Sequence, residues 1–203
     1  MTRILLIPAA FLSLTACMSF GGKAPSTLLT LTPEASGPES PTPTSGASVE
    51  ASGGMIAILP PTAPVPLATD RVVVSTGPNS MAYLADVRWA DQPARLFADL
   101  LGEAITRDTG RAVIDRRQSA LTPATRLGGR LSAFGLDATK DEVVVQYDAV
   151  LMPERTGSDA ASIRTRRFVV RLATPSQRPA AVGVTLNRAA NQVASDVAAW
   201  VGR

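Results

Sequence analysis

The chain has no histidine among its 203 residues. That removes Ser-His-Asp and Cys-His nucleophile systems, imidazole metal ligands and the commonest general base. An enzyme built from it would depend on carboxylates, lysine or serine alone. Cysteine occurs once, at Cys17, so no intrachain disulfide can form. Aromatic residues make up 4% of the chain and the formal net charge is +3. Both values are low for base stacking and phosphate neutralisation, which argues against nucleic acid as a partner. No run reaches the roughly 20 apolar residues that a membrane-spanning helix needs.

What is present starts at the N-terminus. Met1-Thr2-Arg3 is a short basic opening, and Ile4 to Leu14 is an apolar run broken only by Pro8 and Ser13. That length suits the hydrophobic region of an export signal. The run ends in Leu14-Thr15-Ala16-Cys17. Small residues let the backbone enter a peptidase, and the thiol can take a diacylglycerol; the order matches the bacterial lipobox. Residues 1–16 are therefore expected to be a signal peptide and Cys17 the lipid attachment site. The alternative is an ordinary secretory signal, or a buried first helix, with a chance cysteine. The covalent lipid on Cys17 is the one non-protein group expected, with no cofactor and no metal. One acyl chain holds a membrane weakly, so two or three would be needed for a stable anchor. Met18 stands where Asp would favour inner-membrane retention, which leans toward the outer membrane, facing the periplasm.

Residues 17–54 form a second region, rich in Pro, Ser, Thr, Gly and Ala. Such a stretch buries too little apolar surface to offset its ordering entropy and is expected to act as a tether. Residues 27–32 (Thr-Leu-Leu-Thr-Leu-Thr, before Pro33) interrupt it as a short predicted strand. The folded domain is expected over 55–203. Met55 to Leu59 and Arg71 to Val74 read as strands, with a proline-rich crossing between them, and the second is stopped by Gly77-Pro78. A helix follows, with Asp91 as its cap, Pro93 in its first turn and Gly110 at its end. Leu96, Phe97, Leu100, Leu101, Ala104 and Ile105 lie on one face of it. Ala112 to Asp115 is a short strand. Arg126 to Leu136, Glu142 to Met152 and Ile163 to Leu172 are longer strands with short polar connections, which predicts an antiparallel meander. The chain closes with a helix carrying Leu186, Ala189, Ala190, Val193, Val197, Trp200 and Val201 as an apolar stripe. The expected fold class is α+β: a mostly antiparallel sheet packed against two amphipathic helices.

Few residues stand out as chemistry. Tyr83, Arg88 and Trp89 are candidates for partner binding, since Trp and Arg are favoured at interface hot spots. The competing expectation, which is preferred, has Trp89 packed under the following helix and Arg88 paired with a carboxylate such as Asp86. Trp200 reads as core. The arginines from Arg164 to Arg171 either meet lipid headgroups or an acidic partner, or form the solvated face of an amphipathic strand. Arg116, Arg117 and Arg126 read as surface charge. Gly128-Gly129 suits a bulge or close packing better than a phosphate loop. Asp108 with Asp115, and Asp141 with Glu142, make no catalytic pair that the spacing defines. There is no P-loop.

Taken in order, several of these segments resemble the ABC-type transport auxiliary lipoprotein family, which includes the PqiC-like lipoproteins. They are the lipobox at Cys17 with the strand ending Leu31-Thr32-Pro33, then Asp70-Arg71-Val72-Val73-Val74, then Tyr83-Leu84-Ala85-Asp86-Val87-Arg88-Trp89-Ala90-Asp91. Arg130-Leu131-Ser132-Ala133-Phe134 and Trp200 complete the series. The resemblance implies a non-enzymatic subunit on the outer membrane. Its partners would be an MCE-domain protein, an ABC permease and an ATPase that together move lipids between the two membranes. Assembly into a homo-oligomeric ring is a further family-level expectation. The different class is a structural or assembly lipoprotein acting as an envelope scaffold. A periplasmic hydrolase is disfavoured by the absence of histidine.

Overall fold

The computed structural model describes residues 27–34, 54–114, 125–153 and 162–203. Eight strands and two helices form one α+β unit. The strands are β1 (Thr27–Leu29), β2 (Met55–Ile58), β3 (Arg71–Gly77), β4 (Ser80–Trp89), β5 (Ala112–Ile114), β6 (Thr125–Asp137), β7 (Glu142–Met152) and β8 (Arg164–Ala173). The helices are α1 (Pro93–Thr109) and α2 (Pro179–Val201), and a 3-10 turn covers Val65–Leu67.

The long strand β6 organises the sheet. Along one edge β7 pairs with it antiparallel from Arg126 to Asp137, and β8 continues the meander beyond β7. The other edge is covered in three pieces. β2 runs parallel to it at Thr125–Leu127, Thr62 bridges to Arg130, and β3 runs parallel at Gly135–Asp137. The sheet is thus mixed rather than purely antiparallel: the expected meander is there, and β1–β4, β2–β5, β2–β6 and β3–β6 are parallel. Parallel neighbours need a crossover, and α1 and the proline-rich segment after β2 supply those crossings.

β4 is a strand that hydrophobic patterning did not reveal. Pro78-Asn79 turns β3 back on itself, so Arg71–Gly77 and Ser80–Trp89 form a hairpin. Leu84 and Ala85 break the alternation because the pairing breaks there. Between the Val73–Tyr83 and Arg71–Arg88 pairs, β4 carries extra residues, and Asp86 adopts a left-handed φ of 57°. After this irregularity Val87–Trp89 pair with β1 on the other side. The N-terminal strand is shorter than the predicted 27–32, covering Thr27–Leu29. The cap of α1 also differs from expectation. Gln92 occupies the cap position without a side-chain cap bond, while Asp91 Oδ1 accepts the Gln92 N–H at 2.6 Å. Pro93 does open the helix, and Gly110 closes it in the left-handed conformation.

Both helices lie on the same face of the sheet. Phe97, Leu101 and Ile105 of α1 and Leu186, Val193 and Val197 of α2 are fully buried. Ala189, Ala190 and Ala194 on α2 are buried too, and their small side chains let the two helices approach closely. A run of aromatic rings crosses this core: Trp89 to Phe134 at 5.3 Å, Phe134 to Phe97 at 6.4 Å, and Phe97 to Tyr147 at 5.3 Å, all tilted or edge-on. Trp200 is core, as its stripe predicts, with an edge contact to Phe168 at 5.8 Å.

Gly128-Gly129 serves close packing, and the bulge lies further on, between Leu131 and Ala133. The buried Tyr147 hydroxyl donates to Gly128 O at 2.6 Å. A Cβ on Gly129, whose φ is 148°, would stand 2.1 Å from Asp148 O and 3.0 Å from the Tyr147 ring. Gly129→Ala is expected to destabilise the fold by about 3 kcal/mol or more, because backbone has to move. Gly110→Ala shares the positive φ but meets nothing within 4 Å, so its cost is expected to stay at about 1–2 kcal/mol. Urea unfolding of the two variants checks the ranking.

Candidate functional site

Tyr83, Arg88 and Trp89 do not come together as one site. Trp89 is 2% exposed, stacked on Phe134 beneath α1, and its Nε1 has no hydrogen-bond partner among the described residues. Its backbone N–H donates to Asp70 O at 2.6 Å. Arg88 points to the opposite side and donates to both carboxylate oxygens of Asp70, at 2.9 and 3.0 Å. The carboxylate that the side chain chooses is thus Asp70 rather than the expected Asp86. Sequence neighbours could not reveal this, because the β3–β4 pairing is what sets Asp70 beside Arg88. Tyr83 is half-buried, and the Arg71 guanidinium lies over its ring at 4.1 Å. Two of the three candidates therefore reach the surface, on the face of the sheet away from the helices.

That open face has a regular plan set by register. One row of in-register residues crosses five strands: Tyr83, Val73, Gly135, Val144 and Arg171. Side chains in register share a face. A shallow groove of about 270 Å³ follows this row. Val73, Val144, Leu67, Met81, Asp137 and Arg171 are among the residues that line it. The Asp137 carboxyl is held low by hydrogen bonds from Thr139.

A second row contains Arg130, Asp148 and Arg167. Asp148 accepts from Arg167 and Gln146, and from Ser132 Oγ at 2.6 Å. Ser132 reaches it because the bulge turns that residue outward. Partial burial works against the Asp148 carboxylate, but the bonds from Arg167, Ser132 and Gln146 outweigh it and hold the carboxyl below its usual range. The arginines at the other end of β8 are engaged differently. Arg164 donates to Trp200 O at 3.1 Å with its guanidinium 4.9 Å from the indole, and Arg166 lies 5.1 Å from the Phe168 ring.

On the helix side the chain after β1 is clamped to α2. Asn187 Oδ1 accepts the Thr32 N–H at 2.8 Å. Asn191 Nδ2 donates to Thr32 O at 2.9 Å, and its Oδ1 accepts the Glu34 N–H at 2.8 Å. Leu29 packs onto Gly183, where a Cβ would stand 2.7 Å from Leu29 Cδ2. Gly183, Asn187 and Asn191 are spaced four apart, so they line one face of the helix. Sequence reasoning missed this device; the signal was two asparagines in an otherwise apolar stripe.

Among the described residues no group of three or more acidic, histidine or cysteine side chains is placed to hold a metal. Cys17, Asp115, Arg116 and Arg117 lie outside the described residues, as do residues 1–16, expected to be a signal peptide, and most of 17–54, expected to be a tether.

Asp148 links pH to stability with a definite sign. Its carboxyl is lowered on folding, so its contribution is present above the ordinary carboxylate pKa of about 4 and fades as pH falls through the lower folded value. Asp148→Asn is expected to cost about 1 kcal/mol at neutral pH, and the difference from wild type is expected to narrow below about pH 4. Unfolding curves at neutral and acid pH check it. Asn191→Ala leaves the Thr32 carbonyl and Glu34 N–H without their partner. It is expected to raise amide exchange at Thr32 and Glu34 while leaving β6 and β7 protected, as read by hydrogen exchange.

Comparison with known proteins agrees with this geometry. One solved structure, of an uncharacterised protein, superposes with a TM-score of 0.63 at 14% identity, over 73% of this chain and 92% of the other. A Xanthomonas campestris protein of the DUF330 family superposes with a TM-score of 0.61 at 20% identity, over 85% and 90%. At these identities they show the fold alone. No curated protein sequence matches. The family model for the ABC-type transport auxiliary lipoprotein component, however, matches residues 36–198. With that match running from before β2 into the last turn of α2, the chain belongs to the ABC-type transport auxiliary lipoprotein family.

Proposed function

We propose that this protein is a non-enzymatic, lipid-anchored auxiliary subunit of an ABC transporter, one that works with an MCE-domain protein to move lipids between the inner and outer membranes. The family match over residues 36–198 carries the auxiliary role. The MCE partner and the lipid cargo are the finer part of the proposal and rest on the resemblance. The site chemistry is compatible with it. The described surface offers charged and apolar patches for contact, and any ATP use belongs to a partner.

Cys17 is the proposed attachment point, with the lipid holding the domain to the periplasmic side of the outer membrane. No helix among the described residues is long and apolar enough to cross a membrane, so attachment through Cys17 fits a domain that works at a membrane surface. Cys17→Ser is expected to remove the lipid mass from the purified protein and to shift it out of the membrane fraction. An unchanged mass and unchanged fractionation would defeat the anchor.

The transport role is tested by affinity purification of the protein from its own membranes, with mass spectrometry of what accompanies it. Recovery of an MCE-domain protein with its permease and ATPase is the expected result. Recovery of structural envelope proteins alone would replace transport with a scaffold role.

A further inference from the structure

The two faces of the domain differ in what they leave uncovered. On the helix side, α1 and α2 carry Arg95, Arg107 and Arg188 against Asp99, Glu103, Asp108 and Asp196, and β8 adds Arg164 and Arg166 beside Trp200 and Phe168. On the open side of the sheet, arginines from four strands stand together. Arg71 and Arg88 stand in register at one end, Arg130 and Arg167 flank the single Asp148, and Arg171 closes the central row. Three of the carboxylates there are already engaged: Asp70 with Arg88, Asp148 with Arg167 and Ser132, Asp137 with Thr139.

The same face holds most of the apolar exposure. Of the seven large apolar side chains that stand exposed among the described residues, four belong to this face or its rim: Leu28, Val65, Met81 and Val169. Val65 is 83% exposed at the tip of the 3-10 turn, and Met81 is 64% exposed beside the groove. Leu28 pairs in register with Arg88, so the first described strand also turns its exposed side chain this way. Among the described residues the 3-10 turn with Pro64 and Pro66 lies over part of the face, and no α-helix or strand covers it. Protruding apolar side chains set among arginines match the boundary between anionic headgroups and acyl chains.

We infer that the open face of the sheet, from Leu28 and Arg88 at one end to Val169 and Arg171 at the other, docks onto an anionic phospholipid bilayer. Chain length supports this occupant. Thr27 lies ten positions beyond Cys17, a span that fully extended reaches only about 35 Å. This step rests on the lipid anchor proposed above: a domain held that close to a bilayer by β1 has its β1–β4 end at the surface. The headgroup phosphates meet Arg130, Arg167 and Arg171, and Met81 and Val65 enter the interface. The helix face is left turned away from the membrane, available to other partners.

The test uses the full-length protein purified from its host and reconstituted into vesicles. One set contains phosphatidylcholine alone, and another contains added phosphatidylglycerol. Single labels are placed through Met81→Cys, Val169→Cys and, on the helix face, Val184→Cys. Quenching of the labels by brominated lipid reads contact with the bilayer. Labels at 81 and 169 are expected to be quenched several-fold more with phosphatidylglycerol present than without it, and the label at 184 is expected to stay indifferent. Arg130→Gln with Arg171→Gln is expected to abolish the difference, as is high salt. Equal quenching at the three positions overturns the proposal. So does shielding of positions 81 and 169 in detergent as protein concentration rises, because a second copy then covers the face. Intact mass reports separately whether Cys17 carries lipid. If it does not, the anchor fails, and the same labels in a Cys17→Ser background still decide whether the face meets the bilayer.

Discussion

The backbone of β6 sets the terms for the rest of the structure. It is the longest strand, and it runs through the middle of the sheet, where its N–H and C=O groups must be paired along both edges. One edge is met simply, by the antiparallel β7. The other is shared among β2, the bridge at Thr62 and β3. Three short pieces of one connected segment therefore have to arrive at the same edge in order, and the prolines between β2 and β3 make that possible. Pro60 and Pro61 release the chain from the ladder after β2, and Pro64 and Pro66 arch it over the open face before β3 begins. The groove beside Leu67 and Met81 is a by-product of that arch.

Glycine makes the crowded strand feasible. At Gly135 a side chain would collide with Val73 O, and at Gly129 with Asp148 O. The first lets β3 lie tightly against β6, and the second gives the Tyr147 ring its place in the core. The same strand thus separates two chemically unlike faces. Toward the helices it presents Leu131, Phe134 and Leu136 to the aromatic and alanine-rich packing. Toward the open side it presents Arg130, Ser132 and Ala133. A protein that assists transport at a membrane needs surfaces with different partners, and this sheet supplies two without any change in backbone.

The chain from Leu29 to Glu34 ties the N-terminal side of the molecule to α2 through Asn187 and Asn191. Under the proposed lipid anchor, pull on the N-terminus reaches the helix pair and the core through these bonds. Arg107 joins them, reaching Glu34 O and Ser195 from α1 while it is held by Asp108. Both helices are thereby connected to the point where the chain enters the domain.

By itself the sequence determined what depends on neighbours along the chain. The helices announced themselves through apolar residues three and four apart, and the β6–β7–β8 meander through short polar turns between long strands. The burial of Trp200 could be read from the pattern around it, because a side chain on an apolar stripe has one side to go. Tertiary structure alone decided what depends on partners distant in the chain. It made the sheet mixed, since parallel pairing is chosen by which edge remains free and not by residue type. It made β4 a strand despite a broken alternation, because β3 pairs with both its halves and β1 takes the second half on the opposite edge. It gave Arg88 the carboxylate of Asp70, clamped Thr32 to Asn191, and gathered arginines from β3, β4, β6 and β8 onto one face. Period and propensity act over a few residues, whereas register brings together groups that the sequence keeps tens of residues apart.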